Sequence, residues 1–167
     1  AYELFKKKRK SQVWIRPMTQ SVGHSKNYNR HFSKALLYNR NHIVNILQQV
    51  SKVVISKNMI SPDKYLQNLQ NYRFVISPQG NGLDAHSTWE ALMCGCIPIV
   101  PSSPLNQIYK LLPVWIVEDW KDITDKKIIE KENEYLNTVK DINFELIFET
   151  GLEKYIQNIC RNKIHKT

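Results

Sequence analysis

Tyr72–Pro101 reads YRFVISPQGNGLDAHSTWEALMCGCIPIVP, and its order is strand, glycine-bearing loop, helix, strand. Phe74, Val75 and Ile76 form a short apolar run with β-branched residues, bounded by Pro78 and Gly80. Such a run suits a strand buried on both faces, as in a parallel sheet. Pro78, Gly80, Asn81 and Gly82 interrupt regular structure and allow positive φ and close backbone approach. Asp84 is placed to accept from the free N–H groups of the next turn and is expected to be the N-cap. Ala85–Cys94 is rich in good helix formers, Gly95 is a natural stop, and Cys96–Val100 is a second apolar strand. Free N–H groups at a helix N-terminus, outside the carboxyl end of a parallel strand, are where phosphates bind in α/β folds.

Glu90 sits in the middle of this helix, among Trp89, Ala91 and Leu92. At the helical rise it lies roughly 9 Å along the axis from Asp84. A carboxylate there can accept two hydrogen bonds from a vicinal diol, the group a ribose presents. The bland alternatives are a common strand–helix turn and a salt-bridged mid-helix glutamate. The apolar surroundings of Glu90 favour a binding role.

The words RFVISPQGNGLDAHSTWEAL (Arg73–Leu92) and GCIPIVPSSPLNQIYKLLPVWIVEDWKDIT (Gly95–Thr124) resemble the C-terminal, nucleotide-sugar-binding half of an exostosin-like glycosyltransferase of the GT-B fold. The resemblance covers Tyr72–Thr124, weakens over Gln12–Asn71 and is absent after Thr124. It implies that Glu90 holds the donor ribose and that Gly80, Asn81 and Gly82 form the loop beside the donor. Asp84 and the stretch His86, Ser87 and Thr88 would adjoin the diphosphate. Ser102 and Ser103 would line the nucleotide pocket. Many relatives carry an arginine shortly before the Trp-Glu pair, where this chain has Ser87. The missing cation is expected from Arg16, Lys26 or Arg30. No residue is assigned as general base. His24 and Asp84 are the candidates, and a solvated loop position is the simpler account of His24.

The rest of the chain alternates strand and helix. Val13–Arg16, Val53–Ser56 and Val114–Val117 read as strands; His31–Val50 and a helix starting at Ser61-Pro62-Asp63 carry helical spacing. Pro104–Leu112 reads as a short helix. The expected fold is α/β: a single Rossmann-like three-layer domain with a mostly parallel sheet of about five strands and a helical C-terminal extension. Three stretches are expected: a basic N-terminal segment over 1–11, a donor-binding domain over 12–124, and a C-terminal helical extension over 125–167, with further helices at Phe144–Phe148 and Leu152–Ile164.

The 167 residues suit one domain, whereas a GT-B enzyme needs two facing a cleft. A second Rossmann-like domain is therefore an expected partner, together with a nucleotide sugar and a glycan or other hydroxyl acceptor. The net charge is +9, from 24 Lys and Arg against 15 Asp and Glu. Part of it is Lys6–Lys10, KKKRK, which reads as a solvated segment or, alternatively, a nucleic-acid or nuclear-localisation patch. Aromatic residues do not interleave with the basic ones as on a single-strand nucleic-acid platform. Cys94, Cys96 and Cys160 lack the spacing of a zinc site or a disulfide framework. Free thiols favour a reducing, cytoplasmic setting; a Golgi lumen is the alternative if an anchor lies upstream. No stretch is long and apolar enough to span a membrane, and no Asp-X-Asp occurs. GT-B enzymes generally need no metal, so no cofactor beyond the donor substrate is expected. The alternatives to an active transferase are a catalytically degenerate nucleotide-sugar-binding domain and a basic nucleic-acid-associated protein.

Overall fold

The computed structural model describes residues 2–16, 40–80 and 83–147. A short helix, α1 (Tyr2–Lys6), precedes β1 (Lys10–Ile15); then come α2 (Arg40–Leu47), β2 (Val53–Ile55), α3 (Pro62–Asn71) and β3 (Tyr72–Ile76). They are followed by α4 (His86–Met93), β4 (Ile97–Pro101), α5 (Asn106–Tyr109), β5 (Trp115–Val117) and α6 (Asp125–Thr138). The five strands form one all-parallel sheet in the order β2-β1-β3-β4-β5. The expected α/β fold with a parallel sheet and a C-terminal helix is the fold observed.

Strand alternation sorts the core onto the two faces of the sheet. Val13, Ile15, Phe74, Ile76, Ile97 and Ile99 belong to the larger cluster, with Ile43 and Leu47 of α2 and Ile128 of α6. Trp14 and Val75 point to the other face, where Leu69 of α3 and Ala91 of α4 cover them. Each fully buried side chain of this size stabilises the fold by about 1.5–3 kcal/mol.

The helix boundaries follow from local chemistry. Ser61 caps α3, its hydroxyl accepting from Lys64 N–H at 3.3 Å, with Pro62 at the first turn. Thr124 caps α6 by accepting from Lys127 N–H at 3.2 Å. The carboxylate of Asp125 reaches back to the N–H groups of Lys52 (2.8 Å) and Ser51 (3.3 Å), just before β2. These bonds hold Asp125 below the usual carboxylate range. Gly95 ends α4 at φ +72°. A Cβ there would stand 2.8 Å from Leu4 C and Cβ and 2.9 Å from Arg9 Nη2, so only glycine lets α1 close on this turn.

Three expectations change. Ala85, not Asp84, occupies the N-cap of α4, and no side chain caps that helix. Asp84 is one residue too early; its Oδ1 accepts from Ala85 N–H and its Oδ2 from the Trp89 indole. Gly80 does not take the positive φ that the loop allows, and Asn81 and Gly82 lie outside the described residues. Phe144–Ile147 forms a 3₁₀ turn rather than an α-helix. The run Lys6–Lys10 is not simply solvated. Lys7 and Lys8 are exposed, but Arg9 is buried and donates to Leu69 O (2.7 Å), Cys94 O (2.7 Å) and Leu4 O (3.1 Å). Leu69 and Cys94 lie at the C-terminal ends of α3 and α4, where carbonyls lack intrahelical partners and a cation is favoured. Arg73 does similar work from β3, donating to Phe5 O (2.7 Å), Lys7 O (3.2 Å) and Glu132 Oε1 (3.0 Å).

Of the expected helix over His31–Val50, residues 40–47 are helical; residues 31–39 and the helix expected over Leu152–Ile164 lie outside the described residues. No helix among the described residues is long and apolar enough to cross a membrane.

Candidate functional site

The strand order creates a topological switch point. From β1 the chain runs outward to β2, then returns past β1 to β3, so connections leave in opposite directions at the β1/β3 boundary. In open parallel sheets the crevice outside the carboxyl ends of those two strands is the preferred ligand position. Arg16 follows β1 there and Ser77 follows β3, while Ser102 follows β4 on the same edge.

Arg16 is half-buried, and its buried Nε has no hydrogen-bond partner among the described residues. Burial, and then the nearby positive charge of Arg16, pull Arg40 at the start of α2 below the usual arginine value.

Glu90 faces the adjoining side. Its Oε2 accepts a hydrogen bond from Tyr65 Oη of α3 at 2.8 Å. Burial, then this bond, push the Tyr65 phenol upward, while the charge of Arg16 acts in the opposite direction. Tyr65 and Glu90 are thus joined between α3 and α4, and Tyr65 feels the charge of Arg16, which follows β1.

The start of α4 is pinned by hydroxyls. Ser77 Oγ lies 2.7 Å from Ser87 Oγ and 2.9 Å from Thr88 Oγ1, and all three residues are buried. Ser87 and Thr88 thus bind the helix to the end of β3. His86 is exposed on the first turn. Because nothing caps α4, its leading N–H groups are not taken by a side chain. Asp84 is a loop staple: Oδ1 also accepts from Tyr109 Oη at 3.0 Å, besides the bonds to Ala85 and Trp89. Gly80 is exposed, and a Cβ added to it would meet nothing within 4 Å, which leaves open space before α4. Ser102 and Ser103 organise the start of α5. Ser102 Oγ accepts from Asn106 Nδ2 at 2.9 Å, and Ser103 N–H donates to Asn106 Oδ1 at 2.9 Å. Asn81, Gly82, His24, Lys26 and Arg30 lie outside the described residues.

Of the residues expected at a site, Arg16 follows the end of β1, Glu90 is bonded to Tyr65, and the hydroxyls of Ser87, Ser102 and Ser103 are engaged in local structure. Sequence reasoning missed Tyr65 and Gln79. Gln79 Nε2 is buried without a partner, beside a small gap lined by Ser77, Thr88 and Tyr109. Its position one residue after the Ser-Pro strand end was the available signal.

The chain is an all-parallel, Rossmann-like α/β domain whose topological switch point falls between β1 and β3. Neither the models of known protein families nor the curated proteins match this chain.

Proposed function

We propose that this domain is the nucleotide-sugar-binding half of a GT-B glycosyltransferase, of the exostosin-like kind that Tyr72–Thr124 resembles. The observations that support the proposal are the Tyr65-held carboxylate of Glu90, the buried, unpartnered Nε of Arg16 just after β1, and the uncapped start of α4. Glu90 accepts from the ribose hydroxyls. The diphosphate lies across the open space at Gly80, facing the leading N–H groups of α4. Arg16 supplies the positive charge that relatives draw from the position of Ser87. As the sugar departs, negative charge grows on the diphosphate, and preorganised cations and N–H groups stabilise it without a metal. A second Rossmann-like domain brings the acceptor hydroxyl and the general base.

A second reading, a degenerate domain that binds donors without transferring sugar, is favoured by Ser87. Its hydroxyl is buried against Ser77 rather than directed to a ligand. Calorimetry against a panel of UDP- and GDP-sugars tests both. Binding of at least one donor supports the proposal, and binding to none overturns it. Binding without transfer or hydrolysis, once a partner domain and acceptors are supplied, selects the degenerate form.

A further inference from the structure

We propose that Tyr65 is the positioning residue of the Glu90 carboxylate and thereby sets the preference of the site for ribose over deoxyribose. This deepens the donor-site proposal and rests on it. Tyr65 lies on the first turn of α3 and Glu90 in the middle of α4, 25 positions apart in sequence. Their bond, 2.8 Å from Oη to Oε2, crosses between two neighbouring helices on one face of the sheet.

Tyr65 is itself held. Its ring packs against Trp14, with centroids 5.8 Å apart at 42°. Trp14 is fully buried, stacks on Tyr72 at 5.9 Å and 12°, and donates from Nε1 to Ser56 Oγ at 2.9 Å. A rigid chain of contacts therefore runs from β1 through Tyr65 to one oxygen of Glu90. An aromatic side chain has two torsions and loses little freedom when packed in this way, whereas an unsupported glutamate has three. With Oε2 held by the phenol, Oε1 takes no hydrogen bond from the described residues and is the oxygen presented to a ligand hydroxyl. Burial keeps the phenol protonated across the working pH range, so it acts as a donor throughout.

The test uses whichever of UDP and GDP the unaltered chain binds, with its 2′,3′-dideoxy analogue, titrated by calorimetry into four proteins. These are the unaltered chain, Tyr65→Phe, Glu90→Ala and the double variant. Phenylalanine keeps the ring contact with Trp14, so the fold survives; matching melting curves verify it. Tyr65→Phe is expected to weaken the ribonucleotide roughly 10-fold, the worth of one hydrogen bond to a charged group. It should leave the dideoxy analogue unchanged and add nothing in the Glu90→Ala background. Equal losses for both nucleotides, or no loss where Glu90→Ala does lose affinity, overturn the positioning role and leave the donor site standing. Failure of the unaltered chain to bind either nucleotide overturns the donor site and this inference with it.

Discussion

Replacing Arg9 by methionine removes the guanidinium that joins α1, α3 and α4 while keeping most of the aliphatic bulk. Its three bonds go to Leu69 O, Cys94 O and Leu4 O. Hydrogen bonds from a charged donor are worth about 1.5–3 kcal/mol each. Against them stands the desolvation of a buried cation, several kcal/mol. Methionine recovers that desolvation but leaves the three carbonyls without their donor, at about 1–3 kcal/mol each. The balance is a loss of about 3 kcal/mol, which for a chain of this size lowers Tm by roughly 6–12 °C. Urea unfolding followed by circular dichroism measures it directly, with Lys7→Ala and Lys8→Ala as controls from the same basic run. Those two side chains are exposed and should change stability by no more than about 0.5 kcal/mol. If Arg9→Met unfolds at the same urea concentration as the lysine variants, the guanidinium is not a structural tie.

Gly95→Ala should cost about 2–4 kcal/mol by the same assay, because it combines a positive φ with a Cβ 2.8 Å from Leu4; a neutral effect would contradict the close approach of α1. Asp125 has a folded pKa below its unfolded value, so its contribution is complete above about pH 4 and is lost as pH falls through the folded value. Asp125→Asn should flatten that part of the acid stability profile, and an unchanged profile would refute the linkage. Arg16→Ala should reduce donor affinity at least about 10-fold by calorimetry, as expected for a charged phosphate contact. Ser87→Arg in that background should not restore binding, since position 87 is 5% exposed and faces Ser77; rescue would show that the missing cation belongs there after all.

The central fold elements were legible because their signals are local. Phe74–Ile76 and Cys96–Val100 are short apolar runs, and Gly95 ends the helix between them where the backbone needs φ +72°. Glu90 stood out as a charge within an apolar helix. What was not legible depends on tertiary packing. Tyr65 meets Glu90 only because α3 and α4 lie side by side. Arg9 looks like its lysine neighbours until the C-termini of α3 and α4 converge on it. Asp84 has cap chemistry, but the helix starts one residue later, and Trp89 and Tyr109 compete for its oxygens. Gly80 is read as allowing positive φ and a close backbone approach, but its φ is not positive and a Cβ there would meet nothing within 4 Å.

The most direct test of the central claim is a nuclear magnetic resonance titration of the isotopically labelled chain with UDP, GDP and their sugar conjugates. The account predicts that amide shifts concentrate at Arg16, Ser77–Gly80 and His86–Glu90, at the β1/β3 edge and the start of α4. Shifts centred instead on the groove of about 680 Å³ beside β5 and α6, lined by Trp115, Tyr135 and Leu146, would contradict it. So would the absence of shifts with every donor.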